Sequence, residues 1–173
     1  MATEIERKFL ISDPSVLEGR TGRRLAQGYL PVAAPASVRI RIIEDENGTE
    51  ARLTLKQGHS AAVRSEFEYP IPVGEAEVML EVLCGEARVF KQRYVVTHAR
   101  HTWEIDRFEA DNAPLLLAEI ELDTLDEDFV RPPWLGREVT DDVRFLNSHL
   151  CRHPLASWPN AERAAILSPE PPC

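Results

Sequence analysis

The chain has little with which to cross-link itself, bind zinc or enter a membrane. Among its 173 residues there are three cysteines, Cys84, Cys151 and Cys173. An odd count with no CxxC spacing suits neither a disulfide framework nor a zinc knuckle, so they read as ordinary thiols. Five histidines are scattered; His149 and His153 stand four apart, but without an HExxH glutamate or a third ligand they read as surface polar residues. No run approaches the roughly 18 to 20 apolar residues of a membrane span. The N-terminus enters charged residues at once, unlike a signal peptide, so the expectation is a cytoplasmic protein with no membrane partner. Positive charge is in deficit, 20 Lys plus Arg against 29 Asp plus Glu, for a formal net charge of −9. That excludes duplex nucleic acid as the main partner. No GxxxxGK[ST] is present, which excludes a P-loop.

What the chain does have is alternation. With 43% hydrophobic and 28% charged residues it can fold unaided, and its length suits one domain. Eight segments alternate with period two and read as strands: residues 3–11, 25–30, 37–43, 51–56, 63–71, 87–97, 102–108 and 115–122. Asp13-Pro14 begins a short helix at 14–18, and Asn47-Gly48 predicts a type I′ hairpin turn. A helix is expected over 74–84, closed by Gly85. Arg131-Pro132-Pro133 breaks structure, and Thr140-Asp141-Asp142 opens a helix to about Leu150. Residues 154–173, rich in proline and alanine, read as a tail with at most a short helix.

In seven of the eight strands one parity carries charge and the other Val, Ile, Leu, Phe, Trp or Tyr. The charged set is dense and balanced: Lys8, Arg39, Arg41, Arg52, Lys56, Arg64, Lys91 and Arg93 against Glu4, Glu6, Glu66, Glu68, Glu104, Asp106, Glu119 and Glu121. A two-sided sheet with its polar face in water explains each strand alone. Eight antiparallel strands also close into a barrel whose lumen would gather these charges. Charges withdrawn from water cost several kcal/mol each unless paired, so such a lumen needs a ligand to justify it. Arginine and lysine clamp phosphate oxygens, and carboxylates hold hard divalent ions, which together point to a metal-phosphate complex. Periodicity alone leaves sheet and barrel open.

Glu4-Ile5-Glu6-Arg7-Lys8-Phe9 resembles the ExExK signature of the CYTH superfamily, the triphosphate tunnel metalloenzymes. It is followed in order by QGYL (27–30), VRIR (38–41), LTLK (53–56), EFEY (66–69), KQRY (91–94), WEID (103–106) and LAEIEL (117–122). The resemblance covers about residues 3–150 and implies a mainly β fold, an eight-stranded antiparallel barrel with flanking helices, as one domain over 1–153 with 154–173 outside it. It further implies metal-dependent triphosphate chemistry, most like that of short bacterial inorganic triphosphatases. By the same resemblance Lys8, Arg39, Arg41, Lys56, Lys91 and Arg93 would bind the triphosphate, and Glu4, Glu6 and Glu121 would ligate Mg²⁺ or Mn²⁺. Glu119 and Asp106 would be further ligands or water orienters, and Glu66 and Glu68 would hold a second ion or pair with the arginines. A carboxylate would serve as base, and spacing does not say which one; the catalytic candidates are Lys8 and Glu119, with Tyr29 orienting the network.

Arg52 and Arg64 share the charged parity but stay unassigned. Trp103, Trp134 and Trp158 read as packing residues rather than a nucleobase platform. The alternatives are an adenylate cyclase or thiamine triphosphatase, a non-catalytic polyphosphate or nucleotide-binding module, and a plain β-domain with ion-paired strands. A homodimer is expected from the resemblance.

Overall fold

The computed structural model describes residues 2–33, 35–58 and 63–167, leaving out the side chains of residues 2–4, 58, 63 and 64. The Glu4 side chain, expected to ligate a metal, the unassigned Arg64 side chain and the thiol of Cys173 lie outside the described set. Within it, nine antiparallel strands make one sheet: β1 (Ala2–Ile11), β2 (Arg23–Tyr29), β3 (Ala36–Asp45), β4 (Gly48–Gly58), β5 (Val63–Ile71), β6 (Arg88–His98), β7 (His101–Phe108), β8 (Leu116–Glu121) and β9 (Leu135–Glu138). The order is β5-β4-β3-β2-β6-β7-β8-β1-β9, and β5 also returns to β1 over four residue pairs, Ala2↔Glu66 to Ile5↔Val63. The eight expected strands therefore form a circuit, with β1 shared at its end by a ninth.

β9 is a correction, since this stretch reads as a break. After Arg131-Pro132-Pro133 the chain returns to β1 through the pairs Phe9↔Glu138 and Ile11↔Leu135. Gly136 faces the Leu10 backbone so closely that an added Cβ would sit 3.2 Å from its carbonyl oxygen. The Asn47-Gly48 hairpin also shifts by one residue. Asp45 pairs with Gly48, so Glu46 and Asn47 are central; the Asp45 carboxylate accepts from the Asn47 N–H at 2.7 Å, and only Gly48 takes a positive φ, +133°. The aspartate makes an Asx turn that replaces the expected type I′ geometry.

Helices cover the outside. Asp13 accepts from the Ser15 N–H at 3.0 Å and caps a 3-10 turn at Pro14–Leu17. α1 (Val73–Val78) continues as a π-helical turn, Met79–Leu83, before Gly85 at φ +56°. Its Ala76 and Leu80, with Cys84 just beyond, pack on Ile40, Ile42 and Ala51 of β3 and β4. The apolar parity of β1, β6, β7 and β8 buries Phe9, Val96, Trp103, Ile105 and Ile120 in a second cluster. There Trp103 meets Phe9, Phe129 and Trp134 edge-on at 5.4–5.8 Å, contacts worth about 0.5–1.5 kcal/mol each beyond burial.

The remaining cluster sits at one end of the strand circuit. On the same parity as the charges, one step along, stand Leu10, Tyr29, Val89, Phe108 and Leu117, and against them pack Phe145, Leu150, Cys151, Leu155, Trp158 and Ile166. The expected helix over 140–150 is instead a 3-10 turn (Val143–Phe145) and the single turn α2 (Asn147–Leu150), followed by α3 (Asn160–Leu167). Residues 155–166 thus share the core of the strands and, with α2, fill that end. No helix among the described residues is long and apolar enough to cross a membrane.

Candidate active site

Between this apolar plug and the opposite mouth lies a cavity of about 190 Å³. Alternation places on its wall Lys8 from β1, Arg39 and Arg41 from β3, Lys56 from β4 and Arg93 from β6, with Glu6, Glu66, Glu104 and Glu119 between them. Tyr29 lines it too, and the plug contributes Leu146, Asn147 and Ser148. Glu6, Glu104 and Glu119 also border a wider space of about 760 Å³ at the mouth, where Glu121, Asp123 and Glu127 join them and, among the described residues, Arg100 is the sole lysine or arginine. The interior is cationic and its entrance acidic.

Ion pairs hold most of these cations in place. Lys8 Nζ lies 2.7 Å from Glu119 and 3.2 Å from Glu6. Burial works against the Lys8 ammonium, but Glu119 and Glu6 more than reverse it and hold its pKa above the usual lysine value. Arg93 clasps both Asp106 oxygens at 2.7 Å, reaches Glu119 at 2.8 Å and also bonds Glu104. Burial would raise the Glu119 carboxyl, yet Lys8 and Arg93 pull it well below its ordinary range. Arg39 donates to Thr54 at 3.0 Å and to Glu68 at 3.3 Å, with Glu66 at 3.6 Å, and Lys56 meets Glu66 at 2.6 Å. Arg41 differs. Its Nε donates to Gln27 Oε1 at 3.2 Å, and among the described residues no carboxylate pairs with it. Burial, then the neighbouring Arg39 and Arg93, push its pKa down to about 10, which leaves it charged at neutral pH.

Lys91 and Asp106 are fully buried and lie outside the cavity lining. Lys91 donates to Asp106, and to Asn147 Oδ1 at 3.3 Å. Because Arg93 already takes both oxygens of that carboxylate, burial prevails at Lys91 and lowers its pKa to about 8. Asp106, held by two cations and removed from solvent, supports the clamp from behind, where the sequence suggests a metal ligand or water orienter. Glu66 and Glu68 both pair with Arg39, and Glu66 pairs with Lys56 as well. Arg52 pairs outside the cavity with Glu50 at 2.9 Å.

For a metal, the donor chemistry fits at the mouth. Glu6 and Glu121 are direct cross-strand partners on the lumen parity, Glu119 follows opposite Lys8, and all three are hard oxygen donors facing open space. Among the described residues no three acidic, histidine or cysteine side chains are already gathered tightly enough to hold an ion. Residues that charge counting passes over also belong to the site. Gln27 and Thr54 are fully buried on the lumen parity, Gln27 directly opposite Arg41 and Thr54 opposite Arg39. Their parity marks them in the sequence. Asn147 and Ser148 carry no such signal, because they come from a helical turn and not a strand.

Comparison with known proteins agrees with this layout. The CYTH domain matches residues 2–148. An inorganic triphosphatase of Acetivibrio thermocellus is 41% identical over 158 residues, covering 91% of this chain and 99% of that relative. One from Nitrosomonas europaea is 37% identical over 154 residues, 86% of this chain and 96% of the relative. The crystal structure of the inorganic triphosphatase NE1496 superposes with a TM-score of 0.63 at 34% identity, over 92% of this chain and 98% of that one. The ordered tunnel motifs, the strand circuit and these matches converge: the chain belongs to the CYTH domain family.

Proposed function

We infer that the protein hydrolyses inorganic tripolyphosphate to pyrophosphate and phosphate, by in-line attack of water on a terminal phosphorus inside the cavity. The observation that carries this reading is Arg41, a charged guanidinium on the cavity wall with no carboxylate partner among the described residues, surrounded by Lys8, Arg39, Lys56 and Arg93. A polyanion supplies the missing countercharge. At about 190 Å³ the cavity is smaller than the roughly 300–1,000 Å³ of pockets that take drug-sized ligands, which suits an inorganic anion. Trp103, Trp134 and Trp158 are buried in packing clusters, so none offers a platform for a base. The triphosphatase relatives support the same substrate class.

Glu6 and Glu121, with Glu119 beside them and Glu4 by its place in the motif, would hold Mg²⁺ or Mn²⁺. Such an ion, when bound, draws charge from the phosphoryl oxygens. The chain's own residues do the rest. Phosphoryl transfer passes through a loose transition state with charge spread over the equatorial oxygens, so fixed cations contribute more than a strong base. Lys8 and Arg93, locked by Glu119, and Arg39 and Lys56, locked by Glu66, are held in place before substrate arrives. Glu119, so acidic in this setting, orients cations and water and accepts a proton only weakly. The test is Arg41→Met: kcat/KM for tripolyphosphate falls by about 100-fold or more, and a value within threefold of the native protein would contradict the reading.

A further inference from the structure

Beside Arg41 the wall carries a neutral chain of contacts whose polarity is fixed by chemistry. Gln27 is fully buried, directly opposite Arg41 across β2 and β3, and two residues from Tyr29 on the same face. Arg41 Nε donates to Gln27 Oε1 at 3.2 Å, and Gln27 Nε2 lies 3.2 Å from the Tyr29 phenol oxygen. A guanidinium has no acceptor, so the amide oxygen must face Arg41 and the amide nitrogen must face Tyr29. That nitrogen only donates. The phenol oxygen therefore accepts from Gln27, and its own proton points elsewhere. Among the described residues that O–H donates to no acceptor, and Tyr29 lines the cavity.

The backbone keeps this arrangement in register. Between the two residues Gly28 faces outward, where an added Cβ would lie 2.7 Å from Cys84 Cβ and 2.9 Å from Leu80 Cδ2. The helical segment thus presses directly on the strand behind Gln27 and Tyr29. Burial also raises the Tyr29 pKa against the pull of Arg39, Arg41 and Lys56, so the phenol keeps its proton at neutral pH.

We propose that Gln27 is a positioning residue: by donating to the Tyr29 oxygen and accepting from Arg41 Nε, it turns the Tyr29 O–H and the free amino groups of Arg41 toward the triphosphate, making Tyr29 a donor to a phosphoryl oxygen. This rests on the triphosphatase reading above.

Gln27→Glu separates the two contacts. A carboxylate still accepts from Arg41 but cannot donate to Tyr29, so the phenol reverses and donates to position 27. Gln27→Glu and Gln27→Met are to be made alone and with Tyr29→Phe, and kcat and KM measured for tripolyphosphate. The tyrosine Raman doublet, whose intensity ratio reports whether a phenol accepts or donates, is recorded in parallel, with Tyr29→Phe subtracted to isolate Tyr29. We expect Gln27→Glu to lower kcat at least about tenfold, as Tyr29→Phe does, and to lower it no more than about twofold further in the Tyr29→Phe background. The doublet should change from accepting in the native protein to donating in Gln27→Glu. A kcat loss of equal size in both backgrounds, no loss in either, or an unchanged doublet would overturn the proposal. If the native protein failed to hydrolyse tripolyphosphate, the triphosphatase reading would fall while the doublet still decided the role of Gln27.

Discussion

At Arg41 the demands of binding and stability pull apart. A charged, partly buried side chain with no described carboxylate partner costs free energy in the empty protein and recovers it only with an anion. Arg41→Met should therefore melt at or above the native temperature without ligand and lose most of the upward shift that tripolyphosphate gives the native protein. That shift corresponds to about 2.7 kcal/mol at one hundred times the dissociation constant. A variant that melts well below the native protein without ligand would show that Arg41 is structural. Lys91 gives a pH signature. Its folded pKa of about 8 lies below the ordinary lysine value of about 10.4. Between these values the unfolded chain binds the proton that the folded one sheds, so ligand-free stability rises with pH from about 8 toward 10. Urea denaturation across that window should show a slope of stability against pH that is more positive in the native protein than in Lys91→Met. Asp106→Asn leaves two buried cations without their shared carboxylate, a change expected to lower stability by about 3–5 kcal/mol in the same assay.

At the scale of elements, strands and plug depend on close approach. Gly28→Ala pushes a methyl group into Cys84 and Leu80 and should lower stability by about 1–3 kcal/mol, read from chemical denaturation. Trp158 packs edge-on against Phe145 at 5.6 Å and donates to the His153 carbonyl at 2.9 Å. Trp158→Ala should lower stability by about 3 kcal/mol or more, whereas a surface tail would leave it unchanged. Much of this was legible in the residues. Alternation in VRIR, LTLK and KQRY assigns Arg39, Arg41, Lys56, Lys91 and Arg93 to one face, because a strand's period of two survives any choice of partner. It does not separate Lys91, beneath the cavity, from Arg93, on its wall, since both share a parity and differ only in depth. Nor does it show β9, whose four residues are too few for a pattern. Leu155, Trp158 and Ile166 are hidden by proline- and alanine-rich neighbours, though all three are buried. Gln27 was visible by parity but uncharged, and its role comes from a register that places it opposite Arg41.

For the molecule as a whole, charge is segregated. The chain is net negative, −9, yet among the described residues five lysines and arginines outnumber four glutamates on the cavity wall, and six carboxylates, three of them shared with that wall, border the mouth. Such an entrance repels a bare polyanion and admits one whose charge is partly carried by a divalent ion. With the far end filled by the plug, substrate and ion would share that mouth. On this reading the cavity hydrolyses a triphosphate in a metal-dependent way. The most direct measurement is phosphate release from tripolyphosphate, ATP and thiamine triphosphate by the purified protein, each with Mg²⁺, Mn²⁺ or EDTA. Rapid release from tripolyphosphate with either ion, slower release from the two organic triphosphates and none with EDTA is the expected result. Tripolyphosphate that stabilises the protein against heat but is never cleaved under any of these conditions would contradict the account and leave a binding site in place of an enzyme.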